Sequence, residues 1–315
     1  MPSHKLPTLD FEQRGHPDWL NSLDQACREW GCFQLRNHSV GTDLYLEIQT
    51  QMRHFFALPL QDKQALERSA ENPWGFYDRE LTKNVQDWKQ IFDVGPVSVA
   101  GPFTDARTPW PEQLVEFRGT VERYFAASQS LALALLGDIG ECLGVPRGSL
   151  EKDFGEAHSS FLRLNYYPPC AEPDRHLGIS PHTDAGALTV LLTDAQPGLQ
   201  FLRDDEWHTV HGEAGALTIN IGDIVQVWSN DRYRAPLHRV LANSSHPRYS
   251  APFFLNPSYQ AVYAPLPSAL GGRAPLYHPI NWGDFRAGRA AGDYADVGEE
   301  IQISDFRCCP DTATD

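Results

Sequence analysis

The feature that most constrains the fold is a series of short β-forming runs in the second half of the chain. From about residue 158 onward these runs alternate with Gly, Pro, Asn and Asp: FLRLNYY, ALTVLL, LQFLR, WHTV, ALTINIG, DIVQVWS, LHRVLAN and RYSAPFFLN. Runs that recur roughly every eight to twelve residues, with turn signals between them, are typical of an antiparallel sandwich or barrel. We therefore predict an all-β unit for this half.

The first half of the chain is dominated by helical patterns instead. Apolar residues at helical spacing predict helices over about 17–30, 42–57 and 60–68, and GCFQLRNH is read as a short strand. The stretch 70–109 is rich in Gly, Pro and Trp and is long for a loop, and long loops in compact domains are often functional. A longer helix follows, and its apolar face is broad enough to back a sheet: Leu114, Phe117, Val121, Tyr124, Phe125, Leu131, Leu135, Ile139 and Leu143.

Together these patterns predict an α+β fold with a mainly β core flanked by helices. At 315 residues the chain is long enough to bury a substantial core. We expect one compact unit with four regions, which are a helix-rich segment at 1–105, a long backing helix at 106–157, a β core at 158–280 and a polar tail at 281–315 that contains a short helix.

Composition and charge limit the possible partners and compartment. With 26 Lys and Arg against 41 acids, the formal charge is -15, which disfavours nucleic acid and anionic membranes as partners. No apolar run approaches the roughly 18 residues of a membrane span, and the start MPSHKLPTLDF lacks the pattern of a secretory signal. Six cysteines without a C-x-x-C pair favour reduced thiols. We expect a cytoplasmic protein, and a monomer.

One His-x-Asp pair stands directly before an apolar β-type run. His182 and Asp184 lie in SPHTDAGALTVLL, and in a strand two such residues would share a face. The spacing alone does not identify a metal site, because it recurs at His16–Asp18 and a His-x-Glu occurs at 211–213. The β setting is what distinguishes this pair from the other two.

A third candidate ligand, His238, lies in the later run APLHRVLAN. Two imidazoles and one carboxylate on one side of a metal leave positions open, an arrangement suited to ferrous iron in oxygenases. His182, Asp184 and His238 are therefore the candidate metal ligands and catalytic centre. Because His238 is 54 positions beyond Asp184, the third ligand comes from a distant strand, as in a jelly-roll barrel.

Two polar residues at i and i+2 follow His238 closely. Arg248 and Ser250 occupy one face of the run RYSAPFFLN. A guanidinium pairs bidentately with a carboxylate, and a hydroxyl on the same face adds another hydrogen bond. This pair is suited to hold the far carboxylate of a dicarboxylic acid whose other end chelates iron.

The combined motifs resemble a known family over nearly the whole chain. NYYPPC, ISPHTD, GLQFL, NIGD, SNDRYRAPLHRV and RYS occur in the order seen in 2-oxoglutarate and iron(II)-dependent dioxygenases of the isopenicillin-N-synthase-like group. The leading segment with WGCFQLRNH and the middle segment DWKQIFDVG are also similar to that family. The resemblance implies a double-stranded β-helix (jelly roll) supported by helices, with 158–280 as the catalytic core.

The resemblance also implies a reaction and further site residues. Fe(II) would be the metal, with 2-oxoglutarate and dioxygen as co-substrates, and succinate and carbon dioxide would be released. A small organic molecule would be hydroxylated, desaturated or cyclised. Asn165 and Tyr167 would line the 2-oxoglutarate site beside Arg248 and Ser250.

Substrate contacts and competing functions stay open at this level. Arg163 shares a strand face with Asn165 and can meet an anionic group of the substrate or form an ion pair, while Phe254 can wall the pocket or belong to the core. One rival is an oxidase of the same fold that needs no 2-oxoglutarate, resembling isopenicillin N synthase or the ethylene-forming oxidases. Another is a non-enzymatic or zinc-binding barrel, which the lack of an evident fourth ligand disfavours.

Overall fold

The computed structural model describes residues 5–96, 103, 105–292 and 300–308. Sixteen strands are found among them. In chain order, β1 to β8 are Thr8–Asp10, Cys32–Arg36, Gly75–Tyr77, Leu81–Thr82, Val85–Gln86, Gln90–Val94, Phe161–Tyr167 and Leu177–His182. Strands β9 to β16 are Leu188–Thr193, Leu199–Arg203, Glu206–Thr209, Leu217–Ile221, His238–Leu241, Arg248–Leu255, Val262–Tyr263 and Ile280–Asn281.

Seven α-helices accompany these strands in the described part of the chain. Helices α1 to α7 are Trp19–Glu29, Thr42–Phe56, Leu60–Gln64, Phe117–Cys142, Asp223–Trp228, Pro267–Leu270 and Trp282–Gly292. Short 3-10 turns add Phe11–Gln13, Glu151–Phe154, Pro173–Arg175 and Ile303–Phe306.

Two sheets form the core of the molecule. The major sheet has eight strands in the order β1-β2-β12-β9-β14-β7-β6-β3, and the minor sheet has four in the order β11-β10-β13-β8. All pairs are antiparallel except β1 with β2. Consecutive strands such as β8 and β9, or β13 and β14, belong to different sheets, so the chain crosses between the sheets as a double-stranded β-helix requires. The mainly β core that the sequence predicted is confirmed.

The first half of the chain contributes more to the sheets than its helical patterns predicted. Strands β1 and β2 extend the major sheet at one edge, and β6 and β3 extend it at the other. Strands β3 and β6 lie inside the stretch 70–109, which was expected to be a loop. The expectation was wrong here because strands of three and five residues carry little pattern of their own in the sequence. They form by pairing with each other and with β7.

Helix α4 backs the major sheet. It packs against β9 and β14 and also contacts α1 and α2. Its buried face includes Phe117, Val121, Tyr124, Leu131 and Leu135. The helix occupies the middle of the segment 106–157, because its core-facing residues begin at Phe117 and a left-handed glycine, Gly144 (φ 79°), follows its end.

One of the predicted strands is a helix. DIVQVWS was read as a β run, but Asp223–Trp228 forms α5, in which all six residues are buried. A helix buried on every side shows no polar face, so its sequence cannot be told from that of a buried strand. Strand β12 ends at Ile221, and the next residue is a glycine because a Cβ at Gly222 would lie 2.1 Å from the Gly186 carbonyl oxygen.

Candidate metal centre

Strand pairing in the minor sheet brings the two candidate histidines together. His182 is the last residue of β8, His238 is the first residue of β13, and the two are direct cross-strand partners. Their ring centroids are 4.3 Å apart. Directly opposed residues in an antiparallel pair hold their side chains close together, so two residues far apart along the chain end in one contact.

Asp184 reaches the histidines from the loop after β8. Its Oδ1 lies 3.8 Å from Nε2 of His182 and 3.6 Å from Nε2 of His238. One ligand atom from each of the three residues lies within 4.8 Å of the others, so the group can hold a metal ion. The expectation that His182 and Asp184 share a strand face was wrong, because β8 ends at His182.

Hydrogen bonds leave one free ligand atom on each of the three side chains. The Nδ1 atoms of His182 and His238 lie 2.9 Å and 3.0 Å from the carbonyl oxygens of Ser180 and Pro236. A carbonyl only accepts, so each Nδ1 carries the proton and each Nε2 keeps a lone pair. The three atoms that converge are therefore unprotonated imidazole nitrogens and a carboxylate oxygen.

The other oxygen of Asp184 is held by the major sheet. Thr189 Oγ1 on β9 donates to Asp184 Oδ2 at 2.6 Å, and Asn220 Nδ2 on β12 donates to it at 3.3 Å. Thr189 and Asn220 are cross-strand partners. They fix the rotation of the carboxylate and leave its Oδ1 directed at the histidines. Sequence analysis missed both residues because nothing local marks them.

The site also favours the protonation states that bind a metal. Burial, followed by the nearby His238 imidazole, lowers the pKa of His182. Burial alone would raise the pKa of Asp184, but the two imidazoles and the hydrogen bonds from Thr189 and Asn220 outweigh it and lower that pKa. Neutral imidazole and ionised carboxylate are the forms that donate electron pairs to a cation.

The residues predicted for the co-substrate lie together on two paired strands of the major sheet. Arg248 faces Tyr167 and Ser250 faces Asn165 in the register of β14 with β7. Asn165 Nδ2 donates to Ser250 Oγ at 3.3 Å, and the Arg248 guanidinium lies over the Tyr167 ring with Cζ 5.0 Å from its centroid. Pairing across strands thus joins the two i, i+2 sets.

Arg248 has donors to offer. It is 2% exposed, and its Nε and Nη1 have no hydrogen-bond partner among the described residues. Such orphaned buried donors are costly unless something accepts from them. Asn165 lines the chamber of about 140 Å³ beside His182 and Asp184, whereas Arg248 and Ser250 are not part of that lining.

Arg163 lies in a buried ion cluster. Its guanidinium bonds both oxygens of Asp93 at 2.8 Å and 2.9 Å and Glu80 Oε2 at 2.8 Å. Asp93 is its cross-strand partner on β6. Of the two readings that the sequence left open, the ion pair is the one found, although Arg163 also lines the chamber.

Phe254 walls the chamber rather than the main core. Its ring stacks on Phe161 with centroids 4.7 Å apart, and both residues line the chamber. They belong to a small aromatic cluster, separate from the main core, that also contains Trp74 and Phe103. Two arginines of α7, Arg286 and Arg289, also line the chamber. The sequence predicted a short helix in this segment, which α7 confirms, but no role in the site for its arginines.

The two similar sequence pairs form no metal site. His16 and Asp18 are largely exposed, with 3.6 Å between His16 Nδ1 and Asp18 Oδ2. His211 and Glu213 are exposed in the turn before β12. Among the described residues, His182, Asp184 and His238 are the one group with the right convergence.

The sequence of this chain matches known protein families and individual relatives. Residues 158–257 match the model of the 2OG-Fe(II) oxygenase superfamily, and residues 6–113 match that of the non-haem dioxygenase in morphine synthesis N-terminal region. Oxoglutarate-dependent flavonoid 7-O-demethylase 1 of Ocimum basilicum is 34% identical over 283 residues, which cover 87% of this chain and 74% of that protein. The chain belongs to the 2-oxoglutarate and iron(II)-dependent oxygenase superfamily. Jasmonate-induced oxygenase 4 of Arabidopsis thaliana is also 34% identical, over 90% of this oxygenase and 81% of its own length.

Solved structures agree with the assignment. The crystal structure of JOX2 in complex with 2OG, Fe and JA superposes with a TM-score of 0.84 at 29% identity, covering 96% of this chain and 88% of that one. A full-length Neurospora crassa protein in complex with alpha-KG has a TM-score of 0.83 at 22% identity, over 93% and 98% of the two chains, and shows the shared fold.

These findings confirm the main expectations from the sequence. The protein is an Fe(II)- and 2-oxoglutarate-dependent oxygenase that acts on small molecules, with the double-stranded β-helix fold. The rival reading, an oxidase of the same fold without 2-oxoglutarate, is not favoured. None of the helices in the described part of the chain is long and apolar enough to cross a membrane.

Proposed function

We propose that His182, Asp184 and His238 hold the Fe(II) of this oxygenase. The observation that carries the proposal is the convergence of two unprotonated Nε2 atoms and one carboxylate Oδ1, each fixed by a hydrogen bond on its far side. Mixed imidazole and carboxylate donors suit ferrous iron. Three ligands from one side leave positions for a co-substrate.

Arg248 is the proposed partner of the distal carboxylate of 2-oxoglutarate. Its two orphaned donors and its burial fit an anion that brings its own acceptors. Ser250 and Asn165, which hydrogen bond each other, would add polar contacts. Tyr167 supports the guanidinium through its ring face.

The roles of the chain are binding, orientation and exclusion of water. When bound, iron(II) would supply the oxidising chemistry with dioxygen and 2-oxoglutarate: one oxygen atom enters the succinate formed as 2-oxoglutarate loses carbon dioxide, and the other becomes available for the substrate. Thr189 and Asn220 keep Asp184 in its ligating rotation. Phe161 and Phe254 shield one wall of the chamber.

We also propose that the protein works as a monomer in the cytoplasm, with dioxygen as its second co-substrate. All three proposed ligands come from a single chain, so the site does not require a second subunit. The described cysteines are free thiols, which suits a reducing compartment. Size-exclusion chromatography with light scattering tests the oligomeric state, and a dimer would contradict the proposal.

An anaerobic titration tests the site. Purified apoprotein receives Fe(II) and then 2-oxoglutarate while a visible charge-transfer band is followed. We expect the band in the wild type, no band in His182→Ala, and in Arg248→Gln a 2-oxoglutarate affinity weaker by roughly ten- to a hundred-fold, since a charged hydrogen-bond pair is lost.

Arg273→Gln is the matched control for loss of one positive charge. Arg273 is exposed and its Nε bonds only the Leu270 carbonyl, so this variant should titrate like the wild type. A wild-type protein without the band, or an Arg248→Gln protein with unchanged 2-oxoglutarate affinity, would contradict the assignment.

A further inference from the structure

A second cavity adjoins the metal chamber. It has a volume of about 590 Å³ and shares Phe161, Arg163 and Arg286 with the chamber lining. Cavities of roughly 300–1,000 Å³ with mostly apolar walls are the usual size for small-molecule sites. The second cavity and the metal chamber therefore share part of their walls.

Most of the cavity wall is apolar. Trp74, Phe103 and Phe161 line one side, and the ring of Trp74 lies 6.1 Å from that of Phe161. Helix α7 contributes the small apolar side chains of Ala287, Ala290 and Ala291, together with the charged Asp284 and Arg286. Flat aromatic rings and small side chains in the same lining leave a slot that a cyclic hydrocarbon skeleton can fill.

Three of the cationic side chains that line the two cavities are already paired with acids. Arg163 and Arg68 are paired with Asp93 and Glu80, and Lys89 is paired with Glu80 and Asp87. This buried cluster holds three positive and three negative side chains and so is balanced: Arg68, Lys89 and Arg163 with Glu80, Asp87 and Asp93.

The two arginines of α7 are not equivalent. Arg289 donates to the Gln302 side chain at 2.8 Å and to the Thr183 carbonyl at 3.1 Å. Arg286 is half-buried, lines both cavities and has no hydrogen bond or ion pair in the described part of the chain. The Arg286 guanidinium lies over the Phe161 ring, whose centroid is 5.7 Å from Arg286 Cζ.

Two acids of the described chain line the cavities near Arg286 without pairing with it. Glu300 lines the metal chamber and Asp284 lines the second cavity. No ion pair within 4.0 Å joins either carboxylate to Arg286 among residues 5–96, 105–292 and 300–308. A half-buried guanidinium that lines both cavities and has no acceptor among the described residues is suited to pair with an anionic group.

We propose that the substrate is an apolar cyclic or aromatic monocarboxylate whose carboxylate pairs with Arg286. Its hydrocarbon part lies in the slot between α7 and the rings of Trp74 and Phe161. The guanidinium offers a bidentate fork that matches a carboxylate, and its partial burial strengthens the pair. The inference rests on the proposed function, because a substrate in this cavity would be oxidised at the proposed iron site. Oxidation also requires that the cavity open onto that site.

Binding of matched acids and amides tests the proposal. The probes are naphthalene-2-acetate and cyclohexaneacetate, each with its primary amide, titrated calorimetrically into the anaerobic Fe(II)·2-oxoglutarate enzyme. We expect each acid to bind wild type at least about ten-fold more tightly than its amide. Arg286→Gln should abolish this preference, Arg286→Lys should retain part of it, and the surface control Arg273→Gln should retain all of it.

The charge-transfer band separates the two hypotheses. Absence of the band from the wild type would contradict the proposed function itself. A band in wild type and in Arg286→Gln shows that the metal and co-substrate sites are intact, so the probe data then judge the substrate class alone. Equal binding of acid and amide to wild type, no binding of any probe, an unchanged preference in Arg286→Gln, or loss of the band in that variant would overturn the inference.

Discussion

The hydroxyl of Thr189 offers a sharp test of how the metal site is held. Thr189 Oγ1 donates to Asp184 Oδ2 over 2.6 Å, and both side chains are buried. Thr189→Val keeps the shape and the β propensity of the residue but removes the donor. Only Asn220 Nδ2, at 3.3 Å, would then restrain the carboxylate.

The size of the effect follows from that geometry. A hydrogen bond to a charged group contributes about 1.5–3 kcal/mol, which corresponds to roughly ten- to a hundred-fold in an equilibrium constant. Loss of a partner that orients a metal ligand typically weakens metal affinity by about the same factor. We therefore expect Fe(II) to bind Thr189→Val ten- to a hundred-fold more weakly.

The assay is anaerobic competition for Fe(II) against a chromogenic chelator. Thr218→Val is the matched control, because Thr218 is 3% exposed, lies on the neighbouring strand β12 and does not hydrogen bond Asp184. The control should stay within about two-fold of wild type, well under the effect of one charged hydrogen bond. If Thr189→Val binds Fe(II) as tightly as Thr218→Val does, then the Thr189 hydroxyl does not position Asp184.

Two further predictions concern α7 and the buried ion cluster. Arg289→Met removes the hydrogen bond to the Thr183 carbonyl, so amide hydrogen exchange in α7 should accelerate, and an unchanged exchange profile would refute this role. Burial alone would raise the pKa of Glu80, but Arg163, Lys89 and Arg68 hold that pKa well below its ordinary value. The stabilisation of the folded state by ionised Glu80 is therefore present above pH about 4.3 and is lost as the pH falls further. Glu80→Gln should therefore lower the free energy of unfolding by about 3–5 kcal/mol at pH 7. In urea titrations this difference from wild type should shrink below pH about 4. A pH-independent difference would contradict the ionic explanation.

Local sequence patterns predicted much of the fold because most elements carry their own signal. Helix α4 shows an apolar face at helical spacing, and β14 and β7 are short runs rich in aromatic residues and bounded by turn residues. The motifs around His182, His238 and Arg248 identified the chemistry because each residue type suits its partner. Helix α5 was misread because complete burial removes the periodicity that separates helix from strand.

Elements that depend on distant partners were not predictable in this way. Strands β3 and β6 have few residues and no distinctive pattern, and pairing to β7 defines them. Arg163 could equally have met a substrate, and only the register of β6 with β7, which places Asp93 opposite it, assigns it to an ion pair.

The sequence by itself determined which side chains are available: two imidazoles, a carboxylate, an arginine–serine pair and a helix to back the sheet. Only the tertiary structure decided how they meet. Cross-strand register set His182 against His238, and Thr189 and Asn220 oriented Asp184. Docking of α7 brought Arg286 to the cavity. The physical reason is that hydrogen-bond register and packing act between residues far apart in the chain, where no local pattern records the partner.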